Sequence, residues 1–150
     1  MSFREIAQIA GSAMTAESVR LNTVASNLAN ADTAASSEAA AYHARKPVFA
    51  AVSQAQREGW VDQSDDAGSH GPSTPGVQVL DVVQSQEPAR QQYEPDNPLA
   101  DAQGMVYYSN VDSVAEMTDM MTASRAFETN VDVLNRLKSM QTSVLKLGDQ

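Results

Sequence analysis

His43, His70 and the aspartates Asp62, Asp65 and Asp66 are the residues of this 150-residue chain that come nearest to chemistry. Paired histidines open many metal sites and acid–base pairs, and clustered carboxylates bind calcium. Neither pattern is complete. One histidine follows an alanine run and the other sits in a Gly/Pro loop, each reading as a solvated side chain. The aspartates lack the D-x-D-x-D-G spacing and the closing bidentate glutamate of a calcium loop. Ser143-Val-Leu-Lys146 matches S-x-x-K, but it belongs to a continuous helix end without the companion motifs of Ser–Lys catalysis. No glycine loop follows a strand to cradle phosphate, and the absence of cysteine excludes disulfides and thiolate metal sites. The chain reads as a protein with no catalytic, cofactor-binding or metal-binding residues, and not as an enzyme.

Its remaining chemistry is that of surfaces. A net charge of −9 excludes nucleic acid and anionic membrane as partners, since both require basic patches. No run approaches transmembrane length and no basic segment leads a long apolar stretch near Met1, so neither membrane insertion nor a cleaved signal is expected. With 42% hydrophobic residues but only 5% aromatic ones, any core must be small.

Charge and helix breakers divide the chain into residues 1–30, 31–109 and 110–150. The first part balances Arg4 and Arg20 against Glu5 and Glu17; the last carries four basic and six acidic residues; the middle carries four basic and eleven acidic. All six prolines and five of the seven glycines fall in the middle, so the ends are free to form long helices. In the first helix Phe3, Ala7, Ala10, Met14, Ser18, Leu21, Ala25 and Leu28 step by fours and threes as a heptad-like stripe. Ser2 and Glu5 match a capping box. Gly11 and the many Ser, Thr and Asn residues make the helix marginal on its own.

Ser113 and Glu116 predict a second capping box, opening a helix of about 55 Å from Val111 to Leu147, long against a radius of gyration of about 15 Å for this chain length. Its apolar residues run in three lines: Val114, Met117 and Met121; then Met120, Phe127 and Leu134; then Val133, Leu137, Met140, Val144 and Leu147. So broad a face suits more than one neighbour. Between the helices, residues 31–41 are low-complexity and residues 62–76 read as a flexible acidic loop, with extended segments at Val48–Val52, Val77–Val83 and Met105–Tyr108. The expected fold is mainly α: two terminal helices packed as an α-helical coiled coil, with a largely extended or irregular middle containing short β elements.

Asn27 and Asn30 both suit a helix end, where the amide bonds freed carbonyls. The stripe ahead of them has no partner in the segment that follows, so the two ends are expected to pack together and to offer leftover seams to other molecules.

The segments RLNTVASNLANADT (20–33), AYHARKPVF (41–49), YEPDNPLADAQGMVYYSNVDSVAEMTDMMTASRAFETN (93–130) and KSMQTSVLKLG (138–148) resemble the bacterial flagellar basal-body rod proteins, of the proximal rod protein C type. The pattern departs from the family's usual one at Asp96-Asn97, Met105 and Ser109. The resemblance implies a structural subunit, exported by the flagellar type III apparatus and polymerised into the periplasmic rod that transmits motor torque. The implied partners are other copies, other proximal and distal rod proteins, the adaptor joining rod to membrane ring, and the export gate. Expected assembly contacts are Phe3, Ile6, Ala10, Met14, Leu21, Asn27, Leu28 and Asn30 at one end, with Met117, Met121, Phe127, Val131, Leu134, Leu137 and Leu145 at the other. The rival reading is a cytoplasmic helical adaptor or export chaperone, which would also be small, acidic and amphipathic.

Overall fold

A computed structural model describes residues 2–52 and 76–148. The first helix, α1 (Phe3–Ala29), opens with the capping box: Ser2 Oγ accepts the Glu5 amide at 3.2 Å and the Glu5 carboxylate accepts the Ser2 amide at 2.7 Å. Its poor helix formers are accommodated by bonding back along the helix. The hydroxyls of Thr15, Ser18 and Thr23 donate to the carbonyls of Gly11, Met14 and Val19, satisfying themselves without forming a competing turn. At the far end Asn30 Nδ2 donates to the Ser26 carbonyl at 2.8 Å and closes the last turn.

The middle is built of antiparallel strands: β1 (Ala34–Ala35), β2 (Arg45–Val52), β3 (Gly76–Gln84), β4 (Arg90–Tyr93) and β5 (Met105–Tyr108). One sheet has the order β1-β5-β4, and the other is the ribbon β2-β3. The ribbon register runs from Arg45 opposite Gln84 to Val52 opposite Gly76, with a bulge that leaves Leu80 unpaired. The second helix, α2 (Ser113–Gly148), follows β5. Its cap is Asp112 rather than the expected Ser113: Asp112 Oδ1 accepts the amides of Val114 at 2.9 Å and Ala115 at 3.2 Å. A carboxylate is the stronger acceptor there, because it also meets the positive end of the helix dipole. Glu116, released from capping duty, is buried.

The helices run antiparallel. Ala31, just past α1, packs with Val111, just before α2, and Arg20 reaches Asp119 at 3.1 Å. Eleven residues back along α1 thus correspond to eight forward along α2. At this offset α1 runs out opposite the region of Leu137, which is buried, and Lys138–Lys146 beyond it are exposed throughout.

The ribbon lies along another flank of α1. Its root is tied at Asn27 and its far end at Ser12, where the Val77 amide donates to Ser12 Oγ at 3.1 Å. Fifteen helical residues span about 22 Å and seven strand steps about 23 Å, so β2 and this stretch of α1 match in length.

The expectation of a mainly α coiled coil is therefore corrected. The described residues are about 52% helix and 22% strand, in two helices and two antiparallel sheets. The middle is not largely irregular, because β4, β5 and β1 pair across long sequence separations. The helix pair is not a heptad seam either. α1 buries Ala10, Ala16, Thr23, Val24 and Asn27, a face rotated by about 100° at its C-terminal half from the predicted stripe. Of that stripe only Ala10 is buried. Small and polar residues let the helix lie close to both α2 and the ribbon, where a continuous row of large knobs would hold them off. The expected loop 62–76 lies outside the described residues but for Gly76, and so do Trp60, Asp62, Asp65, Asp66 and His70.

Candidate assembly surface

The centre of the subunit is a junction where two asparagines hold four chain segments. Asn27, fully buried, donates from Nδ2 to the Arg45 carbonyl at 2.8 Å and accepts the Arg45 amide on Oδ1 at 2.9 Å. Both partners have fixed polarity, which settles the orientation of the amide. Oδ1 also accepts the Tyr42 hydroxyl at 3.0 Å, and the Arg45 guanidinium lies over the Tyr42 ring, 5.6 Å from its centre. Across the junction Asn110 Oδ1 accepts the Ala44 amide at 2.7 Å while Nδ2 donates to the Glu87 carbonyl at 2.8 Å. Ala31, Ala44 and Val111, with Tyr42 against them, make the adjoining apolar cluster. So Asn27 is a structural bridge and not a helix stop, the role expected for it beside Asn30.

The loop between β4 and β5 is equally determined. Asp101 Oδ1 accepts the amides of Gln103 at 2.8 Å and Met105 at 2.9 Å, and Oδ2 accepts the Tyr107 hydroxyl at 3.2 Å. These bonds, the Met105 amide foremost, hold the Asp101 carboxyl below its ordinary range against the opposing effect of burial. Burial, then the Asp101 hydrogen bond, pushes the Tyr107 phenol up; the Glu94 hydrogen bond at 3.0 Å does the same for Tyr108. Gly104 has φ of 79°, and a Cβ there would meet Tyr93 Cε2 at 2.9 Å. The tyrosine, proline, aspartate and glycine of the 93–104 segment are thus parts of one built turn, with Asn97 donating to Glu94 at 2.7 Å.

His43 Nδ1 faces Asn110 at 3.4 Å, Ser143 bonds the carbonyl of Ser139, and no group of metal-binding residues occurs among the described residues. No described helix is long and apolar enough to cross a membrane.

What the molecule offers instead is uncovered apolar surface. Of the fifteen residues expected in assembly, Ala10, Asn27 and Leu137 are buried inside the subunit; Ile6, Met14, Leu21, Leu28, Asn30, Phe127, Val131 and Leu134 are half-buried; Phe3, Met117, Met121 and Leu145 face solvent. On α2, Val114, Met117 and Met121 line one outer strip, while Val133, Met140 and Val144 line another about 120° away. The ribbon adds Val48, Phe49, Val82 and Val83, which strand composition alone did not reveal as surface. Two carboxylate oxygens, Glu17 Oε2 and Glu116 Oε2, are buried without a hydrogen-bond partner among the described residues.

Comparison with known proteins decides the family. Residues 8–34 match the model of the flagella basal body rod protein, and residues 102–147 that of the flagellar basal body rod FlgEFG protein C-terminal segment. The chain is 45% identical over 148 residues to the flagellar basal-body rod protein FlgC of Escherichia coli O157:H7, covering 99% of both chains. The FlgC protein of Salmonella typhimurium is equally similar, and that of Bacillus subtilis is 32% identical across 93% of this chain and 94% of its own. The chain belongs to the FlgC family of flagellar basal-body rod proteins. As a FlgC-family member it is a structural subunit of the basal-body rod, and the adaptor or chaperone reading is not supported. The two matched segments of the FlgC-type chain cover most of α1 and α2, together with the β5 strand.

Proposed function

We propose that this chain builds the proximal part of the rod, leaving the cell through the flagellar type III apparatus and polymerising into the shaft that carries motor torque across the periplasm. Its partners in this reading are further copies, other proximal and distal rod proteins, the adaptor between rod and membrane ring, and the export gate. The observation that carries the reading is that both outer strips of α2 stay exposed, while α1's predicted stripe, Ala10 apart, is left half-buried or exposed. A folded monomer rarely leaves several contiguous apolar strips open unless they meet partners. The two unpartnered carboxylate oxygens point the same way, since an unsatisfied buried carboxylate is costly until a donor arrives.

The test is location and complementation. In cells lacking their own gene for it, the chain restores swimming and cofractionates with isolated basal bodies. Retention in the cytoplasm of motile cells would defeat the proposal.

A further inference from the structure

We infer that the open edge of β4 takes a short extended segment of another protein, one carrying lysine or arginine, as a fourth strand of the β1-β5-β4 sheet. The register shows which backbone groups are free for it. The Glu94 amide donates to the Gly104 carbonyl at 2.9 Å, while the Met105 amide goes to Asp101 Oδ1 and the Met105 carbonyl accepts the Asp101 amide, both at 2.9 Å. Bonded and unbonded pairs alternate along an antiparallel ladder. Arg90 and Gln92 therefore bond to Tyr108 and Val106, and Gln91 and Tyr93 turn their amides and carbonyls away from β5. These outward groups meet no partner among the described residues, and β4 is exposed throughout.

The ribbon shows how this molecule guards an edge. There Asn27 takes both outward groups of Arg45, Ser12 Oγ takes the Val77 amide, Asp81 Oδ1 takes the Val82 amide at 2.7 Å, and Pro47 has no amide to offer. Folded proteins cover edge strands in such ways because a bare edge accepts whatever strand arrives. Among the described residues β4 has no such cover, and its outward groups are the kind by which a bound peptide extends a sheet.

Charge selects the occupant. Residues 85–104 hold Glu87, Glu94, Asp96 and Asp101 against Arg90, a net charge of −3. Arg90 is turned toward Asp32, 3.7 Å away, and Asp96 is exposed with no bond of its own among the described residues. Asp96 and Tyr93, which is 68% exposed, line one open cavity of about 550 Å³. A guanidinium or ammonium group placed there meets a carboxylate and the face of a ring, as Arg45 already meets Tyr42. A second copy of β4 is a poor match, since it sets one acidic segment against another. β2, which carries Arg45 and Lys46, is already paired with β3 and held by Asn27.

The test is a photo-cross-link in intact cells, readable whether or not the chain reaches a basal body. A benzophenone-bearing residue replaces Gln92, which is exposed and bonds β5 through its backbone. The expected product joins the full chain to a different protein, and mass spectrometry places the joint in a segment bearing Lys or Arg and no acidic residue. In that background Gln91→Ala should keep the yield, because the pairing uses the backbone, whereas Gln91→Pro should cut it about fivefold to tenfold. The β4–β5 ladder does not use the Gln91 amide, so the circular dichroism of the purified Gln91→Pro chain should match that of Gln91→Ala. Asp96→Lys should lower the yield about threefold to fivefold. Equal yields from Gln91→Ala and Gln91→Pro would overturn the inference. A joint to another copy of this chain, a joint to an acidic segment, or no joint at all would overturn it as well. Absence of the chain from basal bodies would defeat the rod reading and leave this result standing.

Discussion

Asn27 pairs with Arg45 as a neighbouring strand would, giving an N–H to its carbonyl at 2.8 Å and taking its amide at 2.9 Å. A helix has no spare backbone groups in its interior, so a side-chain amide is the means by which α1 can anchor the first residue of a β ribbon.

Asn27→Ala strips partners from the Arg45 amide and the Arg45 carbonyl, while the Tyr42 hydroxyl keeps Ser26 Oγ at 3.2 Å. Each orphaned group costs about 1–3 kcal/mol, so the loss is on the order of 2–5 kcal/mol. Incorporation into basal bodies, measured by immunoblot, should fall at least about tenfold. Asn27→Asp should fail as well, because a carboxylate cannot donate to the Arg45 carbonyl. Normal incorporation of both would show that the bridge is dispensable.

Gly104→Ala forces a left-handed conformation on a residue with a Cβ, at about 1–2 kcal/mol. The added atom also meets the Tyr93 ring and Pro95, and the proline cannot swing away. The melting temperature should drop by about 3–6 °C, read by tyrosine fluorescence. An unchanged melting curve would mean that the turn is not strained as drawn.

The 93–108 segment should keep its structure across the neutral range and lose it at both extremes. Asp101 titrates below its ordinary 3.8, so its contribution is present above that value and disappears as pH falls through the lowered pKa. Tyr107 and Tyr108 titrate above their ordinary 10.0, so their bonds hold below that value and are lost as pH rises through the raised pKa values. Near-UV circular dichroism should therefore be flat between about pH 5 and 9. Tyr107→Phe with Tyr108→Phe should remove the alkaline transition; its persistence in that variant would assign it elsewhere.

Leu134→Asp places a charge on the α2 face that also carries Ala123 and Leu137, both buried. The variant should still be secreted, because export requires no folded helix pair, while the basal-body fraction loses it. Normal motility would refute a role for this face in assembly.

Much of the local structure was legible. Ser2 and Glu5 form their capping box, and the segments at Val48–Val52, Val77–Val83 and Met105–Tyr108 fall in strands, because capping and strand preference act within a few residues. Asp112 displaced Ser113 as a cap by a single position, a choice between two adjacent acceptors that spacing cannot make. The stripe through Phe3, Met14, Leu21 and Leu28 was visible, but not that the helix would bury Ala16, Thr23, Val24 and Asn27 instead.

The sequence alone carried the two helices, the acidic balance and the segments that resemble rod proteins, since each depends on neighbours in the chain. Only the tertiary structure decided that Asn27 bridges to Arg45, that β5 lies between β1 and β4, and that the end of α2 outruns α1. Those outcomes rest on contacts between residues far apart in the chain. Which face of a helix is used up inside the subunit, and which remains for a neighbour, is a matter of the competing shapes packed against it and not of the helix's own pattern.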